Sequence, residues 1–150
     1  MKKPVLLLTV GLPRSGKSTW ARATGYPVVN PDSIRMVLHG TAWRPEAEPM
    51  VWATANLMVQ ALFEAGHEVV VLDATNLTEH RRAEWNSKKW TTGYVTFHTD
   101  EATCIARAEA GDRAYLIPVI QRMARDIEWP MKPVYTETQA GGRTLTYIPA

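Results

Sequence analysis

The stretch Gly11-Leu12-Pro13-Arg14-Ser15-Gly16-Lys17-Ser18, followed by Thr19, has the spacing G-x-x-x-x-G-K-[ST]. No other feature limits the fold of this chain so tightly. Backbone N–H groups must turn inward around a phosphate, and Gly11 and Gly16 allow the tight path. The helix that follows then points its positive end at the anion. Lys17 is expected to reach the β- and γ-phosphates and Ser18 to hold Mg²⁺. Pro13, Arg14, Ser15 and Thr19 complete the expected nucleotide-binding set. The bland alternative is a glycine-rich turn before a surface helix. Context separates the two: the apolar run from Pro4 to Val10 reads as a buried strand, and Lys17 to Ala23 opens a helix.

The rest of the chain alternates in the same way. Short strands are predicted at Val28-Val29, Glu68 to Leu72 and Tyr94 to His98. Helices are predicted at Ser33 to Leu38, Met50 to Ala65 (stopped by Gly66), Thr78 to Trp90, Glu101 to Ala110 and Ile117 to Glu128. Strands separated by helices imply crossover connections. The expected class is α/β, a mostly parallel sheet with helices on both faces. At 150 residues the chain suits one domain. Residues 1–130 are expected to form it. Residues 131–150 are an extension in which Val134 to Thr138 and Arg143 to Ile148 alternate around Gly141-Gly142, the pattern of a hairpin packed on the same domain.

Composition narrows the function classes. One cysteine, Cys104, excludes a disulfide framework and a cysteine-built zinc site. The four histidines lack ligand spacing. No apolar run reaches a membrane span, and the first strand leads into the glycine loop rather than a cleavage site. A cytoplasmic protein with no membrane partner is therefore expected. The net charge of +2 permits a nucleic-acid partner without demanding one.

Several polar residues are candidates for chemistry. Asp73 ends the apolar run Val69-Val70-Val71-Leu72, where a carboxylate can hold the metal or its water; the alternative is a strand-terminating cap. Asn76, in the same turn, is equally a turn residue or a ligand contact. In Asn30-Pro31-Asp32-Ser33-Ile34-Arg35, Asp32 suits either a helix N-cap or a carboxylate that takes the proton from an acceptor hydroxyl. Arg35, three residues on, can then hold an acceptor anion. Arg107, Arg113, Arg122 and Arg125 flank Gly111-Asp112, as in a lid that closes over ATP, although a solvated helix face has the same composition. Arg81, Arg82, Lys88 and Lys89 alternate with Trp85 and Trp90. That fits single-stranded nucleic acid, but more readily a helix with its tryptophans inward.

Taken together, the GLPRSGKST loop, the VNPDSIR segment, the VVVLDATN strand and the arginine-bearing segment before IPVIQRM resemble the phage and bacterial polynucleotide 5′-hydroxyl kinases, a family of small P-loop kinases. The resemblance covers roughly residues 4–130. It implies ATP and Mg²⁺ handled by Lys17, Ser18 and Thr19, with the Asp73 strand beside the first strand. It also implies Asp32 as general base, Arg35 on the acceptor phosphate, and Arg107 and Arg113 in a lid. The implied acceptor is a hydroxyl on DNA or RNA. Some relatives phosphorylate hydroxymethylated bases in phage DNA, and a small-molecule kinase or a non-catalytic nucleotide-binding module would share much of the pattern. Arg14 departs from the family, which usually has glycine there, and is expected to face the acceptor or solvent. The phosphatase domain of some relatives has no counterpart in the sequence.

Overall fold

A computed structural model describes the backbone of residues 2–40, 43–130, 135–139 and 143–147, and the side chains of the first two of these spans. Its centre is strand β1, Val5–Gly11, in which all seven residues are buried. Side chains alternate across it. Leu6 and Leu8 pack on one face with Val29, Val70 and Leu72, and with Val51, Ala55 and Val59 of a long helix; Val5 and Leu7 pack on the other face with Trp20, Ala21, Val95 and Phe97. A strand covered on both faces reads as a continuous apolar run, as this one does.

Helix α1, Lys17–Ala23, follows the glycine loop, and strand β2, Val28–Val29, leads into helix α2, Pro31–His39. Helix α3, Glu48–Glu64, precedes strand β3, Val69–Leu72. Helix α4, Glu79–Ala83, precedes strand β4, Thr91–Phe97. Helices α5, Glu101–Ala110, and α6, Ile117–Asp126, form a hairpin beyond the carboxyl end of β4. Strands β5, Tyr135–Gln139, and β6, Arg143–Tyr147, complete a six-stranded sheet of order β2-β3-β1-β4-β6-β5. The first four are mutually parallel, with Val5 opposite both Val69 and Thr91. β6 runs antiparallel to β4 and to β5. Val134, Gly141-Gly142 and Ile148 of the expected hairpin lie outside the described residues.

Two sequence expectations need correction. Helix α2 begins at Pro31, not Ser33, because the Asn30 side chain accepts from the Ser33 N–H at 3.1 Å. Proline at the first helical position needs no hydrogen-bond acceptor, so cap and helix move two residues earlier. Asp32 is therefore inside the helix and is not its cap. The helix expected from Thr78 to Trp90 ends at Ala83. Trp85 and Trp90 both turn into the core, and the Trp90 indole donates to the Trp85 carbonyl at 2.9 Å. The Ser87 hydroxyl takes the Lys89 N–H at 3.0 Å, a local bond that competes with helix. The tryptophans point inward as expected, but Arg82 goes with them and is buried.

Candidate active site

The carboxyl ends of β1, β2 and β3 lie on one edge of the parallel sheet, the edge where an open sheet of this kind places its ligands. The glycine loop lies there. Gly16 takes φ 106°, a conformation that favours glycine. Gly11 is needed for closeness instead: a methyl group there would lie 2.8 Å from Ser15 Oγ and 3.0 Å from Phe97 Cβ. Arg14 adopts φ 66°, a left-handed position that costs a non-glycine residue about 1 kcal/mol.

Lys17 is only 7% exposed. Its ammonium donates to the Leu12 carbonyl at 2.5 Å and to Ser15 Oγ at 3.4 Å, both neutral acceptors. Burial pulls its pKa down to about 8, while the charges of Asp73, Cys104 and Asp32 oppose that shift. A desolvated cation with neutral partners fits a bound phosphate. Ser18 Oγ donates to Asp73 Oδ2 at 2.7 Å, so a hydroxyl and a carboxylate from two separate segments meet as a donor pair suited to Mg²⁺. Among the described residues, no group of three His, Cys, Asp or Glu side chains is placed to hold a metal ion. A cation would therefore share its ligands with phosphates and water. Of the other loop residues, Ser15 is buried, Pro13 is half-buried and Thr19 is exposed.

Asn30, which sequence reasoning passed over, joins the same point. Its Nδ2 donates to Asp73 Oδ2 at 2.9 Å while its Oδ1 caps α2. Thr9 was also missed. Its hydroxyl donates to the Ala74 carbonyl at 2.7 Å and accepts the Ala74 N–H at 3.1 Å, fixing the turn after Asp73. Asn76 holds that turn from the other end, at φ 43°, with Nδ2 donating to the Thr9 carbonyl at 2.8 Å. Buried Arg82 in turn donates to the Asn76 carbonyl at 2.9 Å. Asn76 thus acts here on the backbone of the fold.

Asp32 lies in the first turn of α2 with its side chain 81% exposed, and it accepts from Arg35 at 2.6 Å. Arg35 is not free to take an acceptor anion alone. Its Nε and Nη2 grip both oxygens of Glu48, at 2.9 and 2.5 Å. This pairing raises the Arg35 pKa and lowers that of Glu48. Glu48, thirteen residues away in α3, carries no local sequence signal for this role.

The arginines near Gly111 divide. Arg107 Nη1 donates to the Arg14 carbonyl at 3.2 Å, and Arg14 Nη2 reaches back to the Arg107 carbonyl at 3.5 Å. Arg14 therefore faces the α5–α6 hairpin, neither the acceptor side nor solvent alone. The hairpin also packs Cys104, Ala108 and Ile120 on Leu12 of the loop. Arg113 is exposed and joins this hairpin through its backbone, its N–H donating to Ala108 at 2.7 Å. Arg122 and Arg125 are exposed on α6. The structure thus brings Lys17, Ser18 and Asp73 into one constellation, and Asp32 stands in the first turn of the helix capped by Asn30, which is itself bonded to Asp73. Arg107 is tied to the loop, and Arg113 makes no such tie.

Among the described residues, no helix is long and apolar enough to cross a membrane. The AAA domain family matches residues 6–130. In fold, the chain is similar to a chain of the Pnkp1/Rnl/Hen1 complex (TM-score 0.65, 21% identity, 99% of this chain and 47% of that one). It is also similar to a chain of the Pnkp1/Rnl/Hen1 RNA repair complex (TM-score 0.64, 16% identity, 93% and 54%). It thus spans about half the length of either. A third likeness is to a protein of Chloroflexus aurantiacus J-10-fl assigned as a kinase (TM-score 0.63, 18% identity, 90% and 82%). With the glycine loop at the head of a four-stranded parallel core, these findings identify the chain as a member of the AAA domain family with the P-loop kinase fold.

Proposed function

We propose that this chain transfers the γ-phosphate of ATP to a hydroxyl on nucleic acid, at a 5′ end of DNA or RNA. The observation that carries the reading is Asp32. Asn30 relieves it of capping, Arg35 orients it, and solvent reaches it. A nucleotide-dependent switch has no need of a carboxylate so placed; a phosphotransferase does. The likeness to a chain of an RNA repair complex supports a nucleic-acid acceptor.

In this mechanism ATP lies on the loop from Gly11 to Thr19. Asp32 takes the proton of the acceptor hydroxyl, whose oxygen attacks the γ-phosphorus in line. The bond to the β-phosphate oxygen breaks and ADP leaves with that electron pair. Lys17 offsets charge on the equatorial oxygens, and Arg107 is the lid arginine nearest the loop to assist it. Ser18 and Asp73 would hold Mg²⁺, which when bound neutralises phosphate charge. Asn30 keeps the Asp73 oxygen aimed at Ser18.

The test is a labelled-ATP assay over 5′-hydroxyl DNA, 5′-hydroxyl RNA, DNA bearing hydroxymethyl bases, free nucleosides and sugars. Label on the 5′ ends is the expected result. Label confined to modified bases, or to nucleosides or sugars, overturns the end-directed reading.

A further inference from the structure

Trp85 and Trp90, the rings that the sequence interleaves with basic residues, are buried and offer no face to a ligand. The indole left open beside the site is Trp43, which is 60% exposed. Its ring centroid lies 5.6 Å from the Arg35 guanidinium carbon, and the Trp52 ring lies 5.9 Å from the same carbon. The Arg81 guanidinium lies 5.1 Å from the Trp52 ring. Trp43, Arg35, Trp52 and Arg81 thus form an unbroken run of alternating rings and cations. The run is anchored, because Glu48 grips Arg35 at two nitrogens and Asp32 takes a third. The exposed indole therefore stands one guanidinium away from the carboxylate assigned to the acceptor hydroxyl.

An indole this open keeps its apolar face in water until something flat covers it. A nucleobase is flat and stacks without regard to sequence. Arg81, at the other end of the run, is half exposed, and its ion pair with Glu84 at 3.6 Å is a surface contact weak enough to exchange for a phosphate.

We propose that Trp43 and Arg81 form an acceptor-strand subsite: the first base of a single-stranded 5′-hydroxyl end stacks on Trp43, and a following backbone phosphate pairs with Arg81. This rests on the phosphoryl-transfer reading above and adds to it where the strand lies.

The experiment measures kcat and KM for 5′-hydroxyl oligonucleotides and for the same strands with an abasic first nucleotide. Trp43→Ala should raise the oligonucleotide KM about tenfold or more, the scale of one lost stack, with the KM for ATP unmoved and Trp43→Phe restoring most of the loss. The penalty should vanish on the abasic strand, which the wild-type protein itself should use less well by a similar factor. Arg81→Gln should reduce the slope of log KM against log salt by about one. A Trp43→Ala penalty that is absent, or equal on both strands, overturns the subsite while 5′-end labelling stands. Labelling of sugars or free nucleosides alone overturns the phosphoryl-transfer reading and the subsite together.

Discussion

Lys17→Met tests the electrostatics of the loop directly. The buried ammonium has its pKa drawn from 10.5 to about 8, chiefly by burial. A lysine whose folded pKa is depressed destabilises the fold at low pH, because the unfolded chain binds the proton more tightly. The cost is complete below about pH 8, shrinks through the window from 8 to 10.5, and is gone above it. Its size at pH 7 is about 3 kcal/mol, falling to between 1 and 2 kcal/mol, roughly, at pH 9.5. Methionine removes the charge at similar length but strands the Leu12 carbonyl, which offsets part of the gain by about 1–3 kcal/mol. That offset does not titrate. The stability difference between Lys17→Met and wild type should therefore fall by about 2 kcal/mol from pH 7 to 9.5, in favour of wild type. Urea denaturation of the nucleotide-free proteins at the two pH values measures it. A difference that stays constant with pH would refute the argument that the loop stores an unneutralised cation. In parallel, on the proposed function, ATP should stabilise the variant against heat less than it stabilises wild type, because Lys17 is the cation assigned to the phosphates.

Three further outcomes follow from the site. Asp32→Asn should lower kcat by about 10²–10⁴ while leaving ATP affinity intact; turnover at the wild-type rate would remove Asp32 from the chemistry. Gly11→Ala drives a methyl group into Ser15 Oγ and Phe97, so calorimetry should show a loss of about 1–3 kcal/mol together with weaker ATP binding. Asn30→Ala removes a helix cap and a bond to Asp73 at once. The urea midpoint should drop by the equivalent of about 1 kcal/mol or more, and the Mg²⁺ concentration for half-maximal activity should rise; an unmoved Mg²⁺ requirement would limit Asn30 to capping.

What could be read from sequence was whatever is imposed locally. The loop from Gly11 to Ser18 is legible because its spacing is a steric requirement, and α1 and α5 keep their predicted bounds because Gly16 and Asp100–Gly111 punctuate them. The position of Asp32 was half legible. Aspartate is a good cap, which left cap and proton acceptor as equal readings, yet Pro31 already marked the first turn and pointed to Asn30. The shortened α4 was not legible: inward tryptophans are expected of a helix, yet here the chain brings Trp85 and Trp90 under Trp52 and Phe63 of α3 after the helix has ended. Nor were the pairs that define the site's edges. Arg35 finds Glu48 through the packing of α2 on α3, and Arg14 finds Arg107 across 93 residues of sequence. Such partners are set by topology and leave no periodic trace.

The central place of β1 has a consequence for biosynthesis. Its neighbours in the sheet are Val69–Leu72 and Thr91–Phe97, so of the described strands β1 is the one that waits through the longest stretch of sequence for its first partner. At ribosomal speeds of about 5–20 residues per second, Val5 waits roughly 3–13 seconds for Val69 alone. During that interval an uncharged, β-prone heptapeptide has no partner, the profile of a segment that associates with copies of itself. The burial that covers β1 in the finished sheet is thus missing from the nascent chain until β3 and β4 have left the exit tunnel, the kind of exposure that holdase chaperones exist to cover.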